Sequence, residues 1–591
     1  MLERILVTTA DKRSWPRGKP VTFLGNWCKL PAEKEAWTSL NADVTPYHWD
    51  NREKMHADYA YLNSCYENML ISLADALNIY HETNHGVRYW RILIGPWLYL
   101  FIHILFDRWV MIEQASNTGN ITSTILLNDP EEELIPSNLL SLNIDDLRWN
   151  HFLYSCSIRN QAKIAWEELP GESHKSLIQR HIDEHKLNYF SFKRFLNKTM
   201  QAMLRYFVLP REVFCCATYM TRFQEIYLQL ALKQIPKCWH IPLTPQVLPN
   251  LQIRHEFCSL IKTSIVDHFQ KFLMQMVARQ IPTAYLEGYA SLTRVVKKVP
   301  WPMSPRVIFT SNAFQCHEVF QAWAADRVES GSSLVVGQHG GFYGIGKIVV
   351  GEEHQIKISD RFLTWGWKDS RPNLYPVGVL TNIGKTAKAW KSDGNLLLVT
   401  VPIRLLAFKC MSWPIAANQA ELFFQNQVHF VSRLKNGIRA QLILRLKESL
   451  DRRFSSSLMA QWKALFPDIT IDKSILPIEK QLLTSRLLIY AYNSTGYLEA
   501  LARNIPTVIF WDHQYWELRE DAIPFFESLS AAKIFFTSAT DAADHINLIW
   551  SNVEDWWKSP MVQAAREQFC FQYAKQISSF IQVMRNALNF S

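Results

Sequence analysis

The sequence predicts an α/β fold built of two Rossmann-like halves, with a large, mainly helical insertion in the first. Three observations carry this. From about residue 305 short apolar runs alternate with helical stretches, the pattern of parallel βαβ units. The alternation pauses at Lys391-Ser392-Asp393-Gly394, a turn cluster suited to a linker, and resumes after it. Glycine is scarce, 20 in 591 residues, yet eleven of the 20 fall between Gly331 and Gly394. Special backbone geometry is therefore concentrated in one segment, and the rest is regular helix and strand.

Taken in order, Ile5–Thr9 (ILVTT) reads as a short buried strand and Val21–Leu24 as a second. Residues 52–290 differ in character. Tyr59–Tyr80 and Phe192–Phe207 carry 3.6-residue periodicity and glycine is almost absent, so the region reads as helical, with strands that the pattern does not place. Its Trp90, Trp97, Trp109, Trp149 and Trp166 are assigned to the core. Ile92–Phe106 has no formal charge, but a membrane span needs roughly 20 apolar residues. A buried helix starting at Pro96 is the reading. The strands that follow are Arg306–Thr310, Leu334–Gly337, Phe362–Trp365 and Pro376–Val379. Beyond the linker come Asn395–Val401, Gln441–Arg445, Ile469–Ile471, Leu487–Ala491 and Thr507–Trp511, with helices near 455–465 and 495–503. The division is thus 1–385, with the insertion at about 52–290, then 392–560, then closing helices over 561–591.

At 48% apolar and 13% aromatic residues the chain is neither fibrous nor disordered. Its net charge of +9 is spread evenly: residues 1–300 hold 33 basic and 29 acidic side chains, and the remainder 30 and 25. No basic arm marks a nucleic-acid partner, so none is expected; anionic substrates or an anionic membrane surface suit the balance. The ten cysteines form no Cys-x-x-Cys pair and read as small buried residues in a reducing compartment. With only four apolar residues in a row near its start, the sequence shows no signal peptide. The expected location is the cytoplasm.

Two loops carry the candidate chemistry. Asn493-Ser494-Thr495-Gly496-Tyr497-Leu498-Glu499 lies between an apolar strand and a helix. There the hydroxyls of Ser494 and Thr495, with the helix N-terminal amides, suit a phosphate, and Glu499 lies one turn on, where a carboxylate accepts ribose hydroxyls. A plain capped helix with a solvated Glu499 fits the same residues. Val335-Val336-Gly337-Gln338-His339-Gly340-Gly341 ends the other strand. His339 is the candidate general base, because a neutral imidazole takes up a hydroxyl proton; a ligand contact and a turn-holding role remain open. Gly340, Gly341, Gly344 and Gly346, with Lys347 nearby, offer an anion-cradling loop without the Walker spacing.

Arg445 and Lys447 alternate on one strand face and can offset the charge of a phosphate leaving group, or else close a salt-bridged strand end. Glu352-Glu353-His354 reads as an exposed charged turn, with one of its carboxylates as the alternative base. Asp360-Arg361 reads as structural, and Trp365 and Trp367 as candidates to stack on a sugar or base. Asp512-His513 falls at a strand's carboxyl edge. His81-Glu82-Thr83-Asn84-His85 matches a zinc-protease pattern, but its poor helix formers and the lack of a downstream ligand argue against zinc.

The run YNSTGYLEALARNIPTVIF resembles the donor-binding signature of GT-B glycosyltransferases, with Asn504 where glycine is usual. VVGQHGG, Val335–Gly341, is similar to the Gln-His-Gly turn of bacterial surface-polysaccharide (O-antigen and capsule) transferases, and ILRLK, Ile443–Lys447, to the basic strand end of their second domain. The resemblance covers about residues 305–515. It implies two domains facing a cleft and final helices returning to the first domain. It also implies a nucleotide-sugar donor, CMP-linked in the relatives that carry a His-Pro or Lys-Pro pair at that strand end, a proline Lys447 lacks. The acceptor would be a glycan or lipid-linked glycan, and the work would be done at the inner face of the membrane. With no Asp-x-Asp pair, metal independence and no cofactor are expected. Donor contacts are assigned to Arg445, Lys447, Ser494, Thr495, Gly496 and Glu499, the cleft loop to Gln338, Gly340 and Gly341, and catalysis, as the base that takes the acceptor hydroxyl's proton, to His339. A sugar-nucleotide epimerase and a non-catalytic polysaccharide-assembly protein remain the alternatives.

Overall fold

The structure, a computed structural model, describes residues 2–173, 212–262, 264, 267–385, 391–401, 406, 408, 415, 417–446, 452–472, 478–482 and 484–590. Three parallel sheets organise them. The first joins β1 (Arg4–Val7), β2 (Val21–Phe23), β3 (Ala42–Val44), β4 (Ile121–Asn128) and β5 (Ala165–Pro170) in the order β3-β2-β1-β4-β5. The second joins β6 (Val213–Cys215), β7 (Val307–Thr310), β8 (Ser333–Gly337), β9 (Arg361–Thr364) and β10 (Leu374–Pro376) in plain succession. The third joins β11 (Asn395–Thr400), β12 (Leu442–Leu446), β13 (Thr470–Asp472), β14 (Ser485–Tyr490), β15 (Thr507–Phe510) and β16 (Phe535–Phe536) in the order β13-β12-β11-β14-β15-β16. That is the Rossmann order, with its switch point between β11 and β14.

The α/β fold is as expected, with one addition: the part before the linker holds two sheets. Residues 52–290 are not an appended helical insertion. They supply β4 and β5 to the first sheet and β6 to the second. These strands escape a hydrophobic pattern for physical reasons: β5 is an exposed edge, and β6 has only three residues. Trp166, assigned to the core, stands on that edge and is 39% exposed, whereas Trp90, Trp97, Trp109 and Trp149 are buried. Phe192–Phe207 lies outside the described residues.

The helix Val87–Ser116 is the central strut. It is long and apolar enough to cross a membrane, but 83% of its most apolar window is buried inside the protein. It starts at Val87 and runs through Pro96, rather than beginning there. The preceding residue, Gly95, lets it approach its neighbours: a Cβ would lie 2.4 Å from the His354 ring and 2.8 Å from Tyr66 Oη. Farther along, Asp107 and Arg108 are fully buried as an ion pair. Tyr47 Oη donates to Asp107 at 2.6 Å, and Arg108 Nη2 donates to the Leu406 carbonyl at 2.7 Å, tying the strut to the half beyond the linker. Such a pair is tolerated because each charge keeps several partners.

The chain ends by crossing back. Helix Pro560–Tyr573 packs on helices Thr495–Ala502 and Ile523–Ala531 of the third sheet. Lys575 N–H then donates to the Trp365 carbonyl at 2.8 Å and its own carbonyl accepts from Val379 N–H at 2.9 Å. Gly366 and Gly378, both at positive φ, leave room for that passage. Helix Phe580–Ala587 finally buries Met584 and Ala587 against Val213, Val307 and Phe309 of the second sheet.

Candidate functional site

The second and third sheets bring their carboxyl edges together through the two glycine-bearing loops. Gly341 N–H donates to Thr495 Oγ1 at 3.1 Å. The approach is close enough that a Cβ on Gly341 would sit 2.6 Å from the Ser494 carbonyl oxygen and 2.7 Å from Leu498 Cδ1. Gly496 answers a similar need, since a Cβ there would meet the Tyr490 ring at 2.4 Å. Gly341 of the first loop thus meets Ser494 and Thr495 of the second.

Gln338 is the hub of the first loop. Its Oε1 accepts from Trp365 N–H at 3.0 Å and Trp367 Nε1 at 2.8 Å, its carbonyl accepts from Trp365 Nε1 at 3.1 Å, and its Nε2 donates to the Gly340 carbonyl at 2.7 Å. Trp365 and Trp367 are buried as its partners, so neither presents a face for stacking. With Gln338 fixed, His339 faces Tyr343, Phe314 and Tyr219, its ring centroid 5.4, 6.0 and 6.4 Å from theirs. His339 Nε2 lies 3.4 Å from Tyr343 Oη, which accepts from Gln355 Nε2 at 2.5 Å. His339 Nδ1 is buried and has no hydrogen-bond partner among the described residues. Burial lowers the imidazole's pKa to about 4, with the Gln355 side chain opposing the shift, so the ring is neutral at ordinary pH.

The glycine loop is not an open anion cradle. Gly344 N–H is held by Glu352 Oε2 at 2.8 Å, and Gly341 N–H by Thr495. Glu352-Glu353-His354 is correspondingly not an exposed turn. It opens helix Glu352–Ile358, and both Glu352 and His354 are buried. Glu352 pairs with Arg519 and, at 3.5 Å, with Arg371. Lys347 N–H donates to the Glu517 carbonyl at 2.9 Å, and Arg519 Nε donates to the Gly346 carbonyl at 3.0 Å. The loop is a strap binding the two sheets edge to edge.

On the third sheet, Ser494 is the N-cap residue of helix Thr495–Ala502 in extended backbone, but its hydroxyl makes no cap bond. Thr495 spends its hydroxyl on Gly341 instead. Glu499 is not solvated: its carboxylate accepts from Thr381 Oγ1, and its carbonyl from Asn382 Nδ2 at 3.1 Å. Burial raises its pKa, the Thr381 hydrogen bond working against the shift. Arg445 on β12 is committed sideways, with Nη1 donating to Asp472 Oδ2 at 2.9 Å and Gln481 Oε1 at 2.5 Å. It aligns with Val399 and through it with Tyr490, so its charge lies at the carboxyl edge beside the switch point. Lys447 lies outside the described residues. Asp512 spends a carboxylate oxygen on Gln514 N–H at 3.0 Å, and His513 is exposed.

His81 and His85 do not share a helix face. The helix Arg52–His81 stops there, with Glu82 left-handed at φ 52°; His81 Nε2 meets the Tyr285 carbonyl at 2.9 Å, and His85 Nδ1 meets Glu329 Oε2 at 2.6 Å. Among the described residues no group of three His, Cys, Asp or Glu is placed to hold a metal. Four site neighbours had no sequence signal: Thr381, Phe314, Tyr343 and Tyr219. Tyr343 follows His339 by four residues in the same loop, whereas Thr381, Phe314 and Tyr219 arrive by long-range packing, Tyr219 from a loop where it is left-handed at φ 62°.

Comparison with known proteins adds the following. Three solved structures share an overall likeness. They are the wall teichoic acid polymerase TagF (TM-score 0.31, 9% identity, 70% of this chain and 98% of that one), the spinosyn rhamnosyltransferase SpnG complexed with spinosyn aglycone (0.31, 12%, 64% and 100%), and WaaG, a glycosyltransferase involved in lipopolysaccharide biosynthesis (0.29, 10%, 64% and 100%). Scores of that size support no inference about the site. No curated protein matches the sequence. Residues 4–588, nearly the whole chain, match the LIC12162 family transferase, and the protein belongs to that family of transferases.

Proposed function

We propose that this transferase is a glycosyltransferase of the GT-B type. It would move a sugar from a nucleotide-sugar donor to a growing bacterial surface glycan, such as O-antigen or capsule, without a metal, in the cytoplasm at the inner face of the membrane. The observation that carries the reading is the 3.1 Å hydrogen bond from Gly341 N–H to Thr495 Oγ1, which joins the loop that carries the candidate base to the candidate phosphate turn. Ser494, Thr495 and Gly496 at the helix start take the donor phosphate, and Glu499 takes the ribose in exchange for Thr381. Arg445, with Lys447, contributes positive potential to the leaving group. His339, neutral and unpaired at Nδ1, takes the proton of the acceptor hydroxyl as the bond to the anomeric carbon forms and the nucleotide departs.

Replacing His339 by Gln is expected to lower turnover about 10²–10⁴-fold, the usual range for a general base, while donor binding survives. Calorimetric titration with CMP, CDP, UDP, GDP and TDP identifies the base, CMP being the first candidate. Nucleotide release only with a glycan acceptor present is the expected behaviour. Acceptor-independent conversion of the nucleotide sugar would replace this reading by epimerisation, and full glycan production by the His339→Gln variant in cells would remove His339 as the base.

A further inference from the structure

Exposed large apolar side chains are concentrated in one stretch of the sequence, residues 219–251, among the described residues. Its centre is helix Arg222–Ala231. Phe223, Tyr227 and Leu230, spaced along one face, are 85%, 61% and 55% exposed, while Leu228 on the other side is buried against the second sheet. Tyr219 before the helix, and Ile235 and Leu243 after it in the sequence, are exposed as well. An exposed apolar helix face of this kind marks a contact surface.

The charges around it select the occupant. Between residues 219 and 251 the sequence has one acidic side chain, Glu225, and that carboxylate is held by the Thr218 hydroxyl. The basic residues Arg222 and Lys233 flank the helix, both exposed and neither in an ion pair among the described residues. Lys237 is buried and neutralised by Glu212 at 2.6 Å. Aromatic and aliphatic side chains on one face, a basic rim and no free acid complement an anionic lipid surface. A protein interface is instead depleted of lysine and balances its charges.

We propose that this helix face docks the protein on an anionic phospholipid membrane. Phe223, Tyr227 and Leu230 enter the interfacial layer, and Arg222 and Lys233 meet lipid phosphates. The docking deepens the membrane location in the proposed function but does not depend on sugar transfer. Its bearing on chemistry rests on the transfer reading: Tyr219, before the helix, has its ring 6.4 Å from that of His339, so the membrane surface would lie beside the acceptor side of the site and favour a lipid-linked acceptor.

The test is co-sedimentation of the full chain with vesicles of phosphatidylcholine alone and of an equal mixture with phosphatidylglycerol. Binding to the anionic vesicles that weakens as salt is raised is expected. The triple variant Phe223→Ser, Tyr227→Ser, Leu230→Ser should bind about tenfold or more weakly with an unchanged melting temperature, because these side chains are exposed. Arg222→Glu with Lys233→Glu should erase the preference for anionic lipid while leaving the apolar face intact. Absence of binding to either vesicle overturns the proposal, as does undiminished binding by both variants. Self-association abolished by the triple variant, without vesicle binding, would assign the face to a second copy of the chain. Vesicle binding without sugar transfer would keep the docking and reject the transfer reading.

Discussion

His339 shows how one side chain's surroundings set its chemistry. Gln338 locks the backbone on one side and Tyr343, Phe314 and Tyr219 enclose the ring, so the imidazole gives up water without gaining a charged partner. Burial therefore depresses its pKa to about 4. A base with a depressed pKa is deprotonated at every pH above that value and loses function only below it. The acid limb of kcat/KM, which reports the free enzyme, should accordingly lie near pH 4, well below the ordinary imidazole value near 6.5. A pH–rate profile measures it directly. An acid limb near 6.5 that disappears in the His339→Gln variant would mean that the ring is solvated in the working enzyme; a limb unchanged by the substitution would place the base elsewhere.

At the level of elements, the joint between strand-end loops is the sensitive point. A methyl group added at Gly341 meets the Ser494 carbonyl at 2.6 Å, backbone that cannot yield without moving the start of helix Thr495–Ala502. Gly341→Ala should cost about 1–3 kcal/mol, as overpacking does, and should reduce turnover as well. Gly437→Ala is the control, since nothing lies within 4 Å of that position. Urea midpoints and turnover of the two variants decide it, and equal behaviour would show the loops to be independent. Much of this joint was legible in the sequence, because strand-to-helix turns carry their own signature: the apolar run, the small residues and the glycines are adjacent in the chain. What was not legible depends on distant partners. Glu352 read as exposed because Arg371 and Arg519 lie 19 and 167 positions away, and the sequence left Arg445 between a phosphate and a salt-bridged strand end because its partner Asp472 lies 27 away. The exposed edge strand β5 left no periodic trace at all.

Across the whole molecule, buried imidazoles link stability to pH. His103, His151 and His354 are fully enclosed, and burial lowers their pKa values to about 4, 4 and 3. His151 is typical: its Nε2 accepts Leu127 N–H at 2.9 Å and its Nδ1 faces Thr8 Oγ1 at 2.8 Å, a set satisfied by the neutral ring. In the unfolded chain these rings take protons near pH 6.5, whereas in the fold they resist until about pH 4. Stability is then complete above about pH 6.5 and falls as pH drops toward 4, by up to about 1.4 kcal/mol per pH unit for each histidine. Urea unfolding at pH 7, 6 and 5 should show that decline, and His103→Gln should make it shallower. A midpoint constant over the range would mean that the rings are hydrated in the folded protein.

The return of the final residues to the second sheet carries a consequence for how the protein is made. Val213, Val307 and Phe309 leave the ribosome long before Met584 and Ala587, which cover them. That apolar face stays bare through the synthesis of the entire third sheet and closes only with the last turn of helix. Maturation is therefore gated by helix Phe580–Ala587: a ribosome that stalls before this helix is made releases a protein whose third sheet is finished and whose second sheet is still sticky.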